Sequence, residues 1–319
     1  MSFRILGTGS CLPKRAVSNE ELSKFLDTSG EWITQRVGIN ERRVCTTETT
    51  ADLAHTAALA ALEMSRVQPC ELDMIICATV SADNTAPSLA CMVQTVIGAQ
   101  CPAMDINAAC SGFIYALDTA AGFFSRGAKK ILVIGAERLT KLVDWSDRST
   151  AVIFADGAGA MVLGKGDAYL SSKLCARGND TILRIPNYAG ESRYYENVSA
   201  KPHIFMNGQE TFKFAVKAMC TDLSDVAGMA GLTLDEISWI IPHQANIRII
   251  DAAVKKLEIP SERCCKNIEK VGNTSAASVP ILADELFRSG KLRDGDIIAM
   301  CSFGAGLTSA ACVVQWNSY

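Results

Sequence analysis

The sequence predicts an α/β fold made of two similar halves, each with a central, mainly parallel sheet. Two observations lead to this fold class. Apolar runs typical of strands buried on both faces alternate with segments of helical periodicity. The second half also repeats the order of motifs in the first, which indicates duplication of one α/β unit. We place the halves at residues 1–166 and 167–319.

The elements of the first half follow from apolar runs and helix-start signals. A helix is predicted from Ser18, because Ser18-Asn19-Glu20-Glu21 resembles a capping box. A second helix is predicted over the alanine-rich residues 50–64. Residues 151–164 are interpreted as two strands joined by a glycine turn. The other predicted strands are residues 5–8, 74–80, 102–106 and 131–135.

The second half is irregular at first and then resembles the first half. Residues 167–206 are polar and show little periodicity, whereas residues 211–227 are predicted to be helical. Cys110 lies 36 residues after the strand start at Met74, and Asn273 lies 34 residues after the one at Trp239. Each is followed by a predicted helix and then by a buried strand, at residues 131–135 or 297–301.

Composition excludes several classes of protein. With 49% hydrophobic residues and a mean hydropathy of +0.16, the chain can bury a large core. The 31 basic and 34 acidic residues give no basic footprint for nucleic acid. No apolar run approaches the roughly 18 residues of a membrane span. Residues 1–4 lead directly into the first predicted strand, so we expect no signal peptide. The 13 scattered cysteines argue against metal clusters and for reduced thiols in the cytoplasm.

Cys110 is the strongest candidate for a reactive residue. It lies between the predicted strand at 102–106 and a helical pattern that runs from Phe113 to Gly127, with small residues on both sides. Small neighbours let another molecule approach the sulfur, and a helix N-terminus favours the thiolate. Free cysteines, however, are among the most buried residues and usually only pack. Taken alone, the position also fits a structural cysteine.

Two further polar residues occupy similar loop-to-helix positions. His243 ends an apolar strand after a proline, where sheet enzymes place reactive groups, although a buried structural histidine also fits the pattern. Asn273 follows a glycine and precedes small residues, a pattern that also suits a plain helix cap. Two similar halves packed together would place their strand ends and loops around a shared cleft.

Together these segments resemble the β-ketoacyl-acyl-carrier-protein synthase III family, the condensing enzymes that start fatty-acid synthesis. The resemblance covers essentially the whole chain. A thiolase would be expected to have a second catalytic cysteine, and an elongating synthase a second histidine, where this chain has Asn273. The matching segments are Gly7-Thr8-Gly9-Ser10, Leu12-Pro13, Asp27-Thr28, Glu31-Trp32, Ala108-Ala109-Cys110-Ser111-Gly112-Phe113, Asp147-Arg148, Asp156-Gly157-Ala158-Gly159-Ala160, Pro242-His243-Gln244-Ala245-Asn246, Gly272-Asn273-Thr274-Ser275-Ala276-Ala277-Ser278 and Ser302-Phe303-Gly304-Ala305-Gly306.

The resemblance implies a thiolase-like fold with αβαβα layering and a decarboxylating Claisen condensation. Cys110 would take the acyl group from an acyl-CoA starter, because a thiolate attacks thioesters well at neutral pH. Backbone N–H groups of Cys110 and of the loop Gly304-Ala305-Gly306 would hold the tetrahedral oxyanion. His243 and Asn273 would donate hydrogen bonds to the thioester carbonyl oxygen, on which negative charge develops as the malonyl group loses CO₂. Each such donor is commonly worth roughly 3–4 kcal/mol.

The resemblance also assigns residues to the two carriers. Trp32 and Arg148 would sandwich the adenine of CoA, with polar contacts from Thr28, Arg36 and Asn246. The acyl carrier protein, which would deliver the malonyl group, is acidic and needs local positive charge on its partner. A solvated helix face explains each lysine at least as well. The residues that match the carrier-binding segments are Gln244, Ala245, Asn246, Ile247, Arg248, Lys213, Lys255 and Lys256.

The acyl pocket and the oligomeric state follow from the same resemblance. Ala86, Leu142, Phe303 and Leu307 are the expected pocket residues. Ala86 stands where enzymes with short starters often have a phenylalanine from the partner subunit, so we expect a longer starter. The strand at 102–106 would pair across a two-fold axis in a homodimer.

No metal or organic cofactor is expected, since acyl-CoA is the substrate and CoA a product. Two other functions stay open at this point. One is a related condensing enzyme or acyltransferase of a secondary-metabolite pathway. The other is a non-catalytic acyl-binding or scaffold protein on the same fold, which loss of Cys110, His243 or Asn273 would favour. All three residues are present.

Overall fold

Two large sheets organise the chain, and each takes its strands from one part of the sequence. The computed structural model describes residues 2–186, 194 and 203–317. The strands are β1 (Ser2–Cys11), β2 (Arg15–Ser18), β3 (Glu41–Val44), β4 (Met74–Ala78), β5 (Ala103–Ile106), β6 (Lys130–Arg138), β7 (Asp156–Gly166), β8 (Tyr169–Asn179), β9 (Leu183–Arg184), β10 (Phe205–Met206), β11 (Trp239–Pro242), β12 (Ile297–Gly304) and β13 (Gly306–Gln315). The helices are α1 (Asn19–Leu22), α2 (Gly30–Val37), α3 (Thr50–Ser65), α4 (Leu89–Ile97), α5 (Gly112–Ser125), α6 (Arg148–Ala151), α7 (Gly208–Met229), α8 (Ile247–Lys256), α9 (Ile268–Val271) and α10 (Ser278–Arg288).

The two large sheets share one strand order. The first runs β1-β7-β6-β4-β5, and the second, read from its other end, runs β8-β13-β12-β11. The first four strands therefore correspond in both sheets, as duplication of one unit requires. The predicted boundary at 166/167 falls in the short link between β7 and β8, and it stays a prediction.

Both sheets are mixed, whereas the sequence analysis predicted mainly parallel ones. Strand β4 is parallel to β5 and β6, and β11 is parallel to β12. The remaining pairs in the two sheets are antiparallel. For β13 the antiparallel pairing has a local cause, because only one residue separates this strand from β12. Such a short connection joins antiparallel neighbours.

The helices complete the five layers of the expected αβαβα arrangement. Helices α5 and α10 lie between the sheets, where Phe113 and Leu282 belong to one buried cluster with residues of both sheets. Helices α3 and α4 cover the outer face of the first sheet, and α7 and α8 cover that of the second. Of the helices in the described part of the chain, none combines the length and apolar character needed to cross a bilayer.

The segment predicted as two strands with a glycine turn is one continuous strand. Residues 156–166 form β7 without a break, and α6 ends just before it at Ala151. The glycines do not turn the chain; they allow a neighbouring helix to pack closely against the strand. A Cβ added at Gly159 would lie 2.7 Å from the backbone nitrogen of Ile281, so glycine lets α10 approach the sheet closely.

The region predicted as irregular contains a long strand. Strand β8 spans 11 residues and pairs with β13 at the edge of the second sheet. The segment was predicted to be irregular because it is polar, but an edge strand with an exposed face also carries polar residues. The polar residues Asn187, Tyr188 and Arg193 of the same region lie outside the described residues.

Two equivalent entry turns precede the central helices. Residues 109–111 form a 3₁₀ turn before α5, and residues 275–277 form one before α10. The first residue of each turn has positive φ although neither is glycine, at 47° for Ala109 and 49° for Ser275. Such conformations persist where the surrounding structure holds them, and they concentrate at functional sites. The duplication therefore brings two matched turns to the interface of the sheets.

Candidate active site

One pocket of about 790 Å³ brings the three principal candidates together. Cys110, His243 and Asn273 all line it, together with Gly304 of the predicted oxyanion loop. They come from four separate connections, one after β5, one after β11, one before α10 and one at the end of β12. Other predicted residues that line this pocket are Trp32, Arg36, Arg148, Ala245, Asn246, Arg248, Lys213, Phe303 and Leu307.

Cys110 is held against the loop that follows β12. A Cβ added at Gly304 would lie 2.7 Å from the Cys110 backbone nitrogen, so only glycine allows this approach. Thr308 Oγ1 lies 3.0 Å from the carbonyl oxygens of both Ala108 and Ala305. The hydroxyl joins the cysteine turn to the loop, and the backbone N–H of Cys110 lies beside Gly304. The two segments expected to form the oxyanion hole therefore lie against each other.

Burial works against ionisation of the Cys110 thiol. The surrounding protein desolvates the sulfur and raises the pKa of Cys110 to about 12, although hydrogen bonding from Ser275 opposes the shift. This desolvation opposes the thiolate that the helix start is expected to favour. The proton must leave the sulfur as the cysteine reacts.

His243 is a buried, neutral imidazole with one ring nitrogen already engaged. Its side chain is buried, and burial lowers the pKa of His243 to about 3. The ring Nδ1 lies 2.7 Å from Ser278 Oγ, which accepts a 3.4 Å hydrogen bond from the backbone N–H of Gln244. With that oxygen accepting, the Ser278 hydroxyl can donate to Nδ1. This arrangement favours the tautomer with its proton on Nε2.

Asn273 is oriented by its own loop. Its Oδ1 accepts a 2.9 Å hydrogen bond from the backbone N–H of Ser275, so the amide Nδ2 is the end that can serve a ligand. Backbone hydrogen bonds to Ile153 and Ala155 fix the residue beside the chain before β7. Asn273 stands one residue before the N-cap Thr274, so its contact is an Asx turn instead of the predicted helix cap, and this turn sets the direction of the amide.

Trp32 and Arg148 meet at the surface. Trp32 is 37% exposed, and the Arg148 guanidinium lies 5.3 Å from the centre of its ring. Arg148 also donates to the Asp27 carbonyl oxygen at 2.5 Å. The two side chains make a cation–π contact with each other. A flat ring would have to separate them in order to stack between them.

The other predicted CoA contacts differ in their surroundings. Arg36 is exposed and lines the pocket. Asn246 caps α8 by accepting from Arg248 N at 2.9 Å, and its Nδ2 donates to the Arg36 carbonyl at 3.3 Å. The buried Thr28 Oγ1 has no hydrogen-bond partner among the described residues, but Thr28 does not line the pocket.

The residues predicted to bind a carrier protein divide into exposed and buried ones. Arg248 and Lys213 are exposed and line the pocket, while Lys255 and Lys256 lie exposed at the far end of α8. Ala245 lines the pocket too, and Ile247 packs against Gly38.

The prediction of a direct carrier contact is wrong for Gln244. Its side chain has no exposed surface, and its amide donates 2.7 Å to the Pro242 carbonyl and accepts from Asn267 N at 3.2 Å. These hydrogen bonds hold the His243 loop against the rest of the chain. Gln244 therefore supports the site from inside.

The predicted acyl-pocket residues are also divided. Phe303 and Leu307 line the pocket, and the Phe303 ring lies edge-on to His243 with ring centres 5.3 Å apart. Leu142 does not line it. It packs against the buried cluster that contains Leu139 and Val143. Ala86 is exposed and lies outside the pocket of its own chain.

Three polar residues near the reactive groups were missed as site residues by the sequence analysis. Ser275 and Ser278 stand in a quoted motif, but only the structure shows their contacts with Cys110 and His243. Glu137 is fully buried at the end of β6. The sequence does contain a signal for Glu137, since this acidic residue stands at the carboxyl end of an apolar strand. Among residues 2–186, 194 and 203–317, no group of three or more His, Cys, Asp or Glu side chains is placed to hold a metal ion.

Comparison with known proteins gives matches along nearly the whole chain. A model of the family described as 3-oxoacyl-[acyl-carrier-protein (ACP)] synthase III matches residues 104–178, and the model of the C terminal of these enzymes matches residues 228–316. Beta-ketoacyl-[acyl-carrier-protein] synthase III of Caldanaerobacter subterraneus subsp. tengcongensis is 49% identical, over 98% of this chain and 97% of the relative.

A second relative and a solved structure agree with these matches. The Clostridium acetobutylicum enzyme of the same name is 45% identical, over 99% of each chain. The crystal structure of 3-oxoacyl-[acyl-carrier-protein] synthase III from Aquifex aeolicus VF5 superposes with a TM-score of 0.93 at 45% identity, covering 98% of this chain and all of that one. The chain belongs to the 3-oxoacyl-[acyl-carrier-protein] synthase III family.

Proposed function

We propose that the protein condenses an acyl-CoA starter with malonyl-acyl carrier protein, with loss of CO₂, to give a β-ketoacyl-acyl carrier protein and so initiate fatty-acid synthesis. The observation that carries this proposal is the convergence of Cys110, His243 and Asn273 in one pocket, beside the loop at Gly304. Family membership supplies the reaction class, and the pocket supplies a nucleophile and two oriented donors.

In the first half-reaction Cys110 attacks the thioester carbonyl of acyl-CoA. The oxygen of the tetrahedral intermediate accepts hydrogen bonds from backbone N–H groups of Cys110 and of the loop Gly304-Ala305-Gly306. CoA leaves, and the acyl group remains on the sulfur. The contact between Gly304 and Cys110 supports this role, since it brings the two backbone segments together.

In the second half-reaction His243 and Asn273 stabilise the charge that forms on the malonyl thioester oxygen. The neutral ring with its proton on Nε2 and the oriented amide of Asn273 are both donors. After CO₂ leaves, the carbanion attacks the acyl-cysteine and frees the thiolate of Cys110. The chemistry requires no metal or organic cofactor.

The two carriers reach the pocket from the side where basic residues lie exposed. Trp32 and Arg148 part to admit the adenine of CoA, with Arg36, Asn246 and Thr28 as polar contacts. The acidic acyl carrier protein docks on Arg248 and Lys213 at the pocket and on Lys255 and Lys256 beyond it, with Ala245, Asn246 and Ile247 forming the adjoining segment. Charge complementarity supports this surface, because exposed basic groups line or adjoin the entrance.

The protein acts as a homodimer in the cytoplasm under this proposal. Strand β5 ends the first sheet, and its residues are only half-buried within the single chain. A second copy of β5 would satisfy this edge. Light scattering at micromolar concentration is expected to give the mass of two chains, and a monomer mass would contradict the assignment.

Acylation of Cys110 is the direct test of the proposed function. Intact-protein mass spectrometry after exposure to butyryl-CoA should show one added acyl group, and proteolysis should locate it at Cys110. Cys110→Ala should lose the label and nearly all condensation, because the nucleophile is gone. Cys70→Ala is a matched control, since Cys70 is an exposed thiol outside the pocket. Wild-type acyl transfer by Cys110→Ala would contradict the mechanism.

A further inference from the structure

One hydroxyl behind the pocket touches both segments that are expected to form the oxyanion hole. Thr308 is buried near the start of β13 and does not line the pocket, whereas Gly304, its partner on β12, does. The Thr308 Oγ1 atom lies 3.0 Å from the carbonyl oxygens of Ala108 and Ala305. It also lies 3.2 Å from the Ser111 hydroxyl. Ala108 and Ser111 belong to the cysteine turn (residues 108–111), and Ala305 belongs to the loop after β12.

The three oxygens around Thr308 Oγ1 restrict what its hydroxyl can do. Carbonyl oxygens only accept hydrogen bonds, so the Thr308 proton serves Ala108 or Ala305, and the Ser111 hydroxyl can donate to Oγ1. Each carbonyl belongs to a rigid peptide plane. The Thr308 hydroxyl therefore restrains one peptide plane in the cysteine turn and one in the loop.

The close approach of the two segments makes their alignment sensitive to this hydroxyl. Gly304 lies directly opposite Thr308 in the strand pair, and a Cβ added at Gly304 would lie 2.7 Å from the Cys110 backbone nitrogen. Within the cysteine turn, Ala109 has a φ of 47°, a conformation that alanine keeps only where the surrounding structure holds it. Without the contact to Ala108, the turn can relax and move the Cys110 N–H relative to the loop.

Two of the three charged states in the proposed reaction depend on this alignment. One is the oxyanion that forms when Cys110 attacks acyl-CoA, and another forms when the carbanion attacks the acyl-cysteine. The third, on the malonyl thioester oxygen, is assigned to His243 and Asn273. Donors held rigidly toward a developing oxyanion stabilise it most, so a displaced segment slows the two attacks but not the loss of CO₂.

We propose that Thr308 is a positioning residue of the oxyanion hole and that it couples loss of CO₂ to carbon–carbon bond formation. Loss of CO₂ leaves an electron pair on the methylene carbon of the former malonyl group. In the coupled branch this carbon bonds to the acyl carbon, the bond from the acyl carbon to the Cys110 sulfur breaks, and the thiolate takes a proton from solvent. This inference rests on the proposed function and adds a residue that determines its product.

A second branch opens when the hole is displaced. The carbanion then takes the proton from solvent itself, and the product is acetyl-acyl carrier protein instead of the β-ketoacyl form. Both branches release CO₂ and consume a proton, but only the coupled branch forms an oxyanion on the acyl-cysteine. Loss of the Thr308 hydroxyl should therefore divert the carbanion to acetyl-acyl carrier protein.

The test compares side chains at position 308 that differ by the hydroxyl. Thr308→Val replaces the hydroxyl by a methyl group of similar size. Thr308→Ser and Thr308→Ala form a second pair, with and without the hydroxyl, which decides the question if Thr308→Val does not fold. Thr50→Val is the matched control, because the buried Thr50 hydroxyl also donates to a carbonyl oxygen, that of Ser81 at 2.7 Å, and Thr50 does not line the pocket. Circular dichroism and urea unfolding establish which variants are folded.

Two measurements are made on each variant. Single-turnover acylation of Cys110 by butyryl-CoA is followed by intact-protein mass spectrometry. The fully loaded acyl-enzyme is then isolated and mixed with malonyl-acyl carrier protein, labelled CO₂ is counted, and mass spectrometry gives the ratio of acetyl- to β-ketoacyl-acyl carrier protein. This ratio reports the fate of the carbanion, so a smaller fraction of folded enzyme does not change it.

Thr308→Val and Thr308→Ala should be acylated about 10- to 100-fold more slowly than wild type, since full loss of one oxyanion donor costs about 100-fold or more. Both should release CO₂ at near the wild-type rate, but with acetyl-acyl carrier protein as a main product. Wild type, Thr308→Ser and Thr50→Val should give almost only the β-ketoacyl product.

An unchanged product ratio in the variants without the hydroxyl would overturn the inference, whether or not their rates fall. A raised acetyl fraction in Thr50→Val or Thr308→Ser would overturn it too, because the effect would then not depend on this hydroxyl. If wild type takes no acyl group at Cys110, the proposed function fails and the inference falls with it. A wild type that condenses normally, beside variants with the same product ratio, contradicts the inference alone.

Discussion

At the scale of single residues, neighbours from distant parts of the chain set the chemistry of the pocket. Cys110 contacts Ser275, and His243 contacts Ser278. Small neighbours and chain position made Cys110, His243 and Asn273 candidates, and the family resemblance assigned their roles. Their protonation states could not be predicted, because burial and contacts across the two halves determine them. The sequence therefore indicated the reactive groups but not their protonation states.

His243 and Asn273 should matter for decarboxylation and much less for acylation. In His243→Ala and Asn273→Ala, acyl-enzyme should form at Cys110 at near the wild-type rate. CO₂ release from malonyl-carrier protein should fall by about 100-fold or more, because each donor stabilises only the negative charge that forms on the malonyl thioester oxygen. Mass spectrometry measures the first step and labelled CO₂ the second.

A conservative variant tests whether the orientation of the ring matters. Ser278→Ala keeps His243 but removes its partner at Nδ1, so decarboxylation should fall by less than in His243→Ala. Because His243 is neutral over the working range, with its pKa lowered to about 3, CO₂ release should show no histidine inflection between pH 5 and 8. Equal loss of both half-reactions in each variant would contradict this division of roles.

At the scale of elements, buried apolar runs were predicted well and glycine-rich or polar strands were not. Helix α3 begins at Thr50 as predicted, and β4 begins at Met74. Strand β7 was misread because its glycines make room for α10, a contact that depends on residues more than 120 positions away. Strand β8 was missed because edge strands lack a strong apolar pattern. The periodicity of a segment therefore predicts a helix or strand when the segment's own apolar pattern reflects its burial. It fails where packing depends on residues far away in the chain.

Gly159→Ala should destabilise the protein by about 1–3 kcal/mol. The new methyl group would lie 2.7 Å from the Ile281 nitrogen, so α10 or β7 must shift. Gly122→Ala is the matched control, because no atom lies within 4 Å of a Cβ added at this position in α5. Alanine there should be neutral or stabilising by up to about 1 kcal/mol. Chemical denaturation compares the two, and equal stability would contradict the packing argument.

At the scale of the whole molecule, two buried groups give opposite contributions to the pH dependence of folding. The folded pKa of Glu137 is raised to about 7, so the folded state loses stability as pH rises from about 4.5 to 7. The folded pKa of His243 is lowered to about 3, so the folded state gains stability as pH rises from about 3 to 6.5. Between about pH 4.5 and 6.5 the two contributions oppose each other.

Single substitutions should separate these contributions. Relative to wild type, Glu137→Gln should become more stable as pH rises from 4.5 to 6.5, and His243→Gln should become less stable over the same range. Each slope can reach about 1.4 kcal/mol per pH unit. Urea unfolding at fixed protein concentration provides the measurement. Variant curves that run parallel to wild type would show that neither carboxyl nor imidazole changes protonation on unfolding.

Starter length belongs to the same scale, because in the proposed homodimer it depends on how two chains meet. Ala86 is exposed and outside the pocket of its own chain, so it can bound the acyl chain only in the partner's pocket. Alanine there leaves space that a phenylalanine ring would fill. Each extra methylene that enters a dry slot can gain about 0.8 kcal/mol, or roughly fourfold in specificity. We therefore expect butyryl- to octanoyl-CoA to be used at least as well as acetyl-CoA.

A series of kcat/KM values from two to ten carbons checks this expectation. Ala86→Phe should shift the preference toward acetyl-CoA, because the ring shortens the slot from across the dimer interface. Thr85→Phe is the matched control, since it adds the same ring at the neighbouring exposed position and should leave the preference in place. A sharp acetyl optimum in wild type would contradict the open slot. An unchanged preference in Ala86→Phe would place the end of the slot within the chain itself, at Phe303 or Leu307, which line the pocket directly.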